Sequence, residues 1–256
     1  MKTLKRAVKI LDYISDNPLG VTSSQLESEL NTSKSTMHRT LQSLENLDII
    51  QSTNEENQKL YKIGLKVLKY SHAFINTTNL PRISIDYMEE LMSDTGHNVQ
   101  LAVQNGTEIL YINTVLNQNY SRFFTPIGKK APMYCTALGK AILAFQSETK
   151  REDILNQIEF EAHTDNTITS LEEFREELFK TRENGYAVDN SEFEEGVRCV
   201  GAPIMNHSNQ VVGAISVADS KKLVPVSDFP KLGNKVRSVA NEISTQLGYI
   251  DRQEIK

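Results

Sequence analysis

Two amphipathic stretches near the N-terminus stand only two or three residues apart, and so short a joint leaves them few ways to pack. The first begins Val21-Thr22-Ser23-Ser24-Gln25-Leu26. Thr22 can cap its free amides, Gln25 can reach back to Thr22, and Val21 can staple onto Leu26. The second opens at Ser33, a good N-cap. It carries Met37, Thr40, Leu41 and Leu44 on one stripe at helical spacing. Helices joined by so tight a turn form a helix-turn-helix. An earlier stretch, with Leu4, Ala7, Val8, Leu11 and Ile14 on one face, stops at Asn17-Pro18-Leu19-Gly20 and supplies a first helix. Residues 49–52 and 60–63 read as short strands around a polar tip from Thr53 to Gln58. A hairpin in that place is the wing of a winged helix.

The stripe opposite the apolar one has a different chemistry. Lys34, Ser35, Thr36, His38 and Arg39 can all hydrogen-bond, and they stand where a helix-turn-helix presents side chains to the major groove. Arginine pairs bidentately with guanine, and serine or threonine can meet either kind of base edge. Arg6, Ser24, Ser33 and Lys59 complete the candidate DNA contacts. Up to Gly64 there are eight Lys or Arg and eight Asp or Glu, so the module has no general basic field. Its cations are nonetheless clustered at Lys2 to Lys9, at Lys34 and Arg39, and at Lys59 and Lys62. The bland alternative is a winged helix used for protein contacts, with a polar face that is merely solvated.

Residues 65–80 are scarce in Gly and Ser and read as a helical connector, with Leu65, Leu68, Ala73 and Phe74 as its apolar positions. From Pro81 onward the pattern changes. A helix through Met88, Leu91 and Met92 closes at Gly96, and an alternating strand then meets the turn Asn105-Gly106. A small-residue helix is expected over 137–145, and another helix opens at 169–172 and ends at Gly185. Strands over 197–204 and 211–217 precede a last helix through Val236, Val239, Ile243 and Leu247. Strands interrupted by helices, with an antiparallel hairpin, make an α+β domain. The expected organisation is a DNA-binding module over 1–64, a connector over 65–80 and a second domain over 81–256.

No apolar run approaches the roughly 20 residues of a membrane span. Lys5, Lys9, Asp12 and Asp16 interrupt the first stretch, which is therefore a mature helix and no signal peptide. Two cysteines, Cys135 and Cys199, fit a reducing compartment. A soluble cytoplasmic protein without membrane contact is the expectation.

Several longer motifs resemble the IclR family of bacterial transcriptional regulators. Leu4 to Leu11 resembles the family's opening helix, Ser33 to Arg39 its recognition helix, and Tyr61-Lys62-Ile63-Gly64 its wing exit. The more specific pieces are Gly128 to Ala141, Gly185 to Glu192, Gly196 to Ile204 and Val212 to Val217, found in that order. The resemblance implies a GAF-like effector-binding domain for a small carboxylate or aromatic metabolite. It also implies homodimers or homotetramers on palindromic operators, repressing or activating transcription, and no cofactor. By position, the pocket would be lined by Ala137 and Leu138, by Asp189, Val197 and Cys199, and by Ser216 and Ala218. Carboxylate-binding members often have Gly-Ala where Ala137-Leu138 stand and a second Ser where Ala218 stands. Those departures point to a larger or less polar ligand than the smallest keto acids.

Two other chemistries compete with this reading. Cys199 as a nucleophile would need a base, for which His97, His163 and His207 are available, but none stands in a nucleophile motif. Cys135, Asp189 and Cys199 could hold Zn²⁺ with a water, although their spacing is not that of a compact zinc motif. For each pocket residue the plain alternative is core packing, Cys199 above all. Asp189 needs a partner in any reading, and Arg198, a backbone amide or a ligand could supply it.

Overall fold

A computed structural model describes residues 2–55, 58–117 and 125–250, which fall into two compact units, Met1–Thr78 and Asn79–Lys256. The wing-tip residues Glu56 and Asn57 and the Phe74 side chain lie outside the described residues.

The first unit contains α1 (Lys2–Asp16), α2 (Ser23–Glu29), α3 (Lys34–Asn46), β1 (Ile50–Glu55), β2 (Gln58–Ile63) and α4 (Lys66–Thr78). Met37, Leu41 and Leu44 of α3 close over Ile10 and Ile14 of α1, Leu26 of α2, and Ile50 and Tyr61 of the hairpin. The capping box forms as the sequence predicts. Gln25 N–H donates to Thr22 Oγ1 at 3.3 Å, and Thr22 N–H donates to Gln25 Oε1 at 2.8 Å. Val21 and Leu26 are both buried, and Val21 exchanges two backbone bonds with Tyr61, tying the start of α2 to the wing. Thr22→Ala is expected to destabilise this end of α2 by about 1 kcal/mol. The measurement is amide exchange in α2 of the full chain, and unchanged protection would count against the cap.

Three local expectations are corrected here. Leu4 and Val8 are 74% and 48% exposed, and the buried side chains of α1 are Ile10 and Ile14, with Ala7, Leu11 and Tyr13 packed alongside. The helix is turned about its axis to meet β2 and α3, which a stripe read from spacing alone does not anticipate. Leu65 and Leu68 are likewise exposed. Ser33 precedes α3 but makes no side-chain cap; its hydroxyl donates to Thr36 Oγ1 at 2.9 Å instead.

The second unit begins with α5 (Leu80–Thr95), β3 (Asn98–Asn105), β4 (Glu108–Val115) and β5 (Lys130–Pro132). Next come α6 (Ala137–Phe145), α7 (Glu148–Leu155), α8 (Leu171–Asn184) and β6 (Ala187–Asn190). It ends with β7 (Val197–Met205), β8 (Val211–Ser220) and α9 (Phe229–Gln246). The strands form one six-stranded antiparallel sheet in the order β5-β4-β3-β8-β7-β6. Because side chains alternate across a strand, Val99, Leu101, Val200, Ile215 and Val217 join α5 and α9 in one core. Ala102, Ile109, Ala187 and Ala214 join α6 and α8 in the other. Leu101 and Ala102, as neighbours on one strand, therefore fall in different cores. The β3–β4 turn is Gly106-Thr107, since Asn105 pairs with Glu108; Gly106 takes the positive φ of +67°.

α6 lies unusually close to its surroundings, and two glycines permit it. A Cβ on Gly139 would stand 2.3 Å from the Met133 backbone, and one on Gly201 of β7 would stand 3.1 Å from the Ala137 carbonyl carbon. The first turn of α6 is thereby laid almost directly on the sheet.

Candidate functional site

The sheet register sets functional groups in two rows beneath the start of α6. Asp189 pairs with Cys199, Cys199 with Ala218, and Ala218 with Asn98. In the next row Gly201 pairs with Ser216, and Ser216 with Gln100. Above them, Thr136 caps α6 by accepting the Gly139 N–H at 3.2 Å, so Ala137 and Leu138 carry the first amides of the helix. Such amides have no partner within their own helix and favour an anion.

A cavity of about 40 Å³ opens between these rows and the helix. Ala137, Leu138, Asp189, Val197, Cys199, Ser216 and Ala218 all line it. Gln100, Tyr111, Thr136 and Phe193 line it as well, and the exposed side chains of Lys129 and Glu194 stand at its edge. Gln100 and Tyr111 share the cavity face with Ser216 by strand alternation, and that pattern could have revealed them. Phe193 and Glu194 come from the loop after β6, where no periodic signal exists.

The polar groups of this cavity differ in how they are satisfied. Ser216 is fully buried, and its hydroxyl has no hydrogen-bond partner among the described residues. Asp189 accepts the Glu192 N–H at 2.7 Å. Arg198 turns elsewhere, donating to Asn190 Oδ1 at 2.7 Å and to the Val224 carbonyl at 3.1 Å. A backbone amide, then, is the partner Asp189 required. Burial first, and Glu192 second, push the Asp189 carboxyl up to about 7, against the opposing pull of Lys140. Gln100 is tied to Thr125 by a 2.8 Å bond from its Nε2.

The zinc alternative is corrected by this geometry. Among the described residues no three His, Cys, Asp or Glu side chains come close enough to share a metal ion. Burial also pushes both thiols up, Cys135 and Cys199 alike, so neither is a ready nucleophile. His97 is paired with Asp219 at 3.2 Å and His163 with Tyr134 at 3.1 Å, so both rings already have partners other than Cys199. The size argument changes too. A cavity that binds benzene is about 150 Å³, so an aromatic ligand enters this one only if side chains of the lining give way.

On α3, Lys34, Ser35, His38 and Arg39 are exposed, and Thr36 is half-buried beneath Ser33. Arg39 Nε donates to the Ser35 carbonyl at 3.4 Å, which leaves the rest of the guanidinium outward. Ser24 is exposed and Arg6 half-buried. Lys59 is engaged by Glu45 of α3 at 3.1 Å and stands over the Tyr61 ring, so its charge is partly spent within the module. Lys62 is paired with Glu55 at 2.9 Å. Among the described residues no ion pair holds Lys34 or Arg39. Among those residues, too, no helix is long and apolar enough to cross a membrane.

Comparison with known proteins matches residues 72–245 to the family described as bacterial transcriptional regulator IclR, C-terminal, and residues 3–53 to the IclR helix-turn-helix domain. The chain is 30% identical over 248 residues to the HTH-type transcriptional regulator KipR of Bacillus subtilis (strain 168), covering 97% of this chain and 98% of that one. It is 33% identical to the crystal structure of Thermotoga maritima IclR, with a TM-score of 0.82, covering 97% of this chain and all of that one. An IclR homologue from Microbacterium hydrocarbonoxydans, complexed with 4-hydroxybenzoate, has the same fold at 20% identity and a TM-score of 0.80, covering 96% and 98% of the two chains.

Proposed function

This chain belongs to the IclR family of bacterial transcriptional regulators, and from that premise we propose where it holds its effector and how it reads DNA. It is a DNA-binding regulator with an effector-binding C-terminal domain. The effector is a small organic acid whose anionic group meets the Ala137 and Leu138 amides and the Ser216 hydroxyl. A second polar group of the ligand, a hydroxyl or amine, meets Asp189. The observation that carries this reading is the orphaned Ser216 hydroxyl, fully buried and lining the same cavity as the free end of α6. An unsatisfied buried hydroxyl costs free energy that a ligand acceptor would recover.

On the DNA side, Lys34, Ser35, Thr36, His38 and Arg39 read the major groove, with Ser24, Ser33, Arg6 and Lys59 reaching backbone phosphates. Residues 1–64 form the reading module, 65–80 the connector, and 81–256 the effector and oligomerisation domain. A neutral module binds weakly alone, so two copies in a homodimer, or four in a tetramer, share a palindromic operator. Binding rather than catalysis is the role we assign to the cavity, because burial pushes the Cys199 thiol up instead of activating it.

A thermal-shift screen of organic acids, with 4-hydroxybenzoate among the probes, tests the effector site. A ligand at a hundred times its Kd adds about 2.7 kcal/mol to the stability of the state it binds. Ser216→Ala and Asp189→Asn should each remove most of that shift. Acids that raise the melting temperature equally in both variants would place the effector elsewhere.

A further inference from the structure

Lys140 has no exposed surface, and it lies within one turn of the cavity-facing amides of α6. Its ammonium donates to Glu192 Oε1 at 2.7 Å and lies 3.5 Å from Glu177 Oε1 on α8. Glu192 Oε1 also accepts the Asn190 N–H at 3.3 Å, and the Glu192 N–H donates to Asp189. A continuous run of bonds thus joins the helix on one wall of the cavity to the carboxylate on the other. Resting on the reading of this cavity as the effector site, we propose that Lys140 and Glu192 are positioning residues for Asp189. Their ion pair clamps the loop after β6 onto α6 and fixes the direction and charge with which Asp189 meets a ligand.

Packing alone does not explain the pair. Well-packed apolar side chains in place of a buried ion pair are often as stable or more so. The loop is also held from its other side without any charge, by Thr164 and Thr167 hydroxyls donating to the Ser191 and Glu192 carbonyls at 2.7 and 2.6 Å. What the ion pair adds is an electrostatic setting. The groups facing Asp189 are Glu192 and Glu194 of the loop after β6, Cys199 of β7, Tyr111 of β4, Cys135 before α6, and Lys140, with Lys129 at the rim. Of the two cations, Lys140 is buried and Lys129 is exposed. Burial pushes Lys140 down, but Glu192 and Glu177 outweigh it and keep the ammonium charged. One Glu192 oxygen, Oε2, is buried with no partner among the described residues, so its charge is felt nearby.

The test uses the full chain labelled with ¹³C-aspartate, the Asp189 carboxyl being assigned by its loss in Asp189→Asn. In the wild type this carboxyl should titrate at about 7. Glu192→Gln keeps the shape of the loop and removes the neighbouring negative charge, and should lower the midpoint. Lys140→Met should raise it; because that variant leaves Glu192 uncompensated and can unfold, the Lys140→Met/Glu192→Gln double variant is measured beside it. There the midpoint should lie between those of the two single changes or, if Lys140→Met does not fold, above that of Glu192→Gln. A midpoint unmoved by Glu192→Gln, with the other aspartates titrating as before, overturns the proposal, since a merely structural clamp would leave it in place. The effector reading fails separately, if an organic acid that releases DNA leaves the Asp189 signal unshifted.

Discussion

Lys140→Met is expected to lower the stability of the second unit by about 3–5 kcal/mol. The side chain is fully buried, and its removal strands Glu192, itself only 6% exposed, without the cation that neutralises it. The chain can respond only by protonating Glu192, by admitting water or by opening the loop after β6, and each is costly in a packed interior. Adding Glu192→Gln should recover most of the loss, because a neutral amide can still accept the Asn190 N–H. Urea unfolding followed by near-ultraviolet signals from the tyrosines of this unit makes the comparison. If the single and double variants were equally destabilised, packing of the lysine stem, and not its charge, would account for the effect.

Arg39→Ala is expected to weaken operator binding by about 1–3 kcal/mol, roughly 5- to 150-fold. Its side chain is exposed on α3 and braced by the Ser35 carbonyl one turn earlier, so little freedom is lost when it meets DNA. Two mechanisms separate in the data. If Arg39 pairs with a base edge, specificity relaxes at one operator position. If it neutralises a phosphate, affinity falls on all sequences and the slope against salt shrinks by about one. Lys62→Ala serves as a contrast, because Lys62 is already paired with Glu55 and should matter much less. Operator binding unchanged by Arg39→Ala removes α3 from the reading surface.

The first unit was largely legible because its signals are local. Thr22, Gln25, Val21 and Leu26 specify the start of α2 within six residues, and the stripe from Met37 to Leu44 declares the buried side of α3. The orientation of α1 was not legible, since Leu4 and Val8 satisfy helical spacing as well as Ile10 does. Only contact with β2 and α3 selects between the two stripes. In the second unit the long strands and α6 could be read, whereas β5, β6 and α7 are short or weakly periodic. The cavity shows the same division. Ser216 and Asp189 sit in motifs that a sequence displays, but Phe193 reaches the cavity from a loop. The partnership of Lys140 with Glu192 spans 52 residues and is fixed by tertiary packing alone.

The two glycines that let α6 pack closely, one in the helix and one in β7, bear on how such a protein is retuned. The clearance between α6 and the sheet is set by the missing Cβ of Gly201, and that between α6 and the Met133 backbone by the missing Cβ of Gly139, not by the side chains proposed to face the ligand. Recognition and scaffold are therefore separable. A library aimed at a new sensing specificity can vary Leu138, Val197, Cys199 and Ala218 freely while holding both glycines constant. Variation at either glycine would displace α6 itself, and with it the binding of every ligand at once.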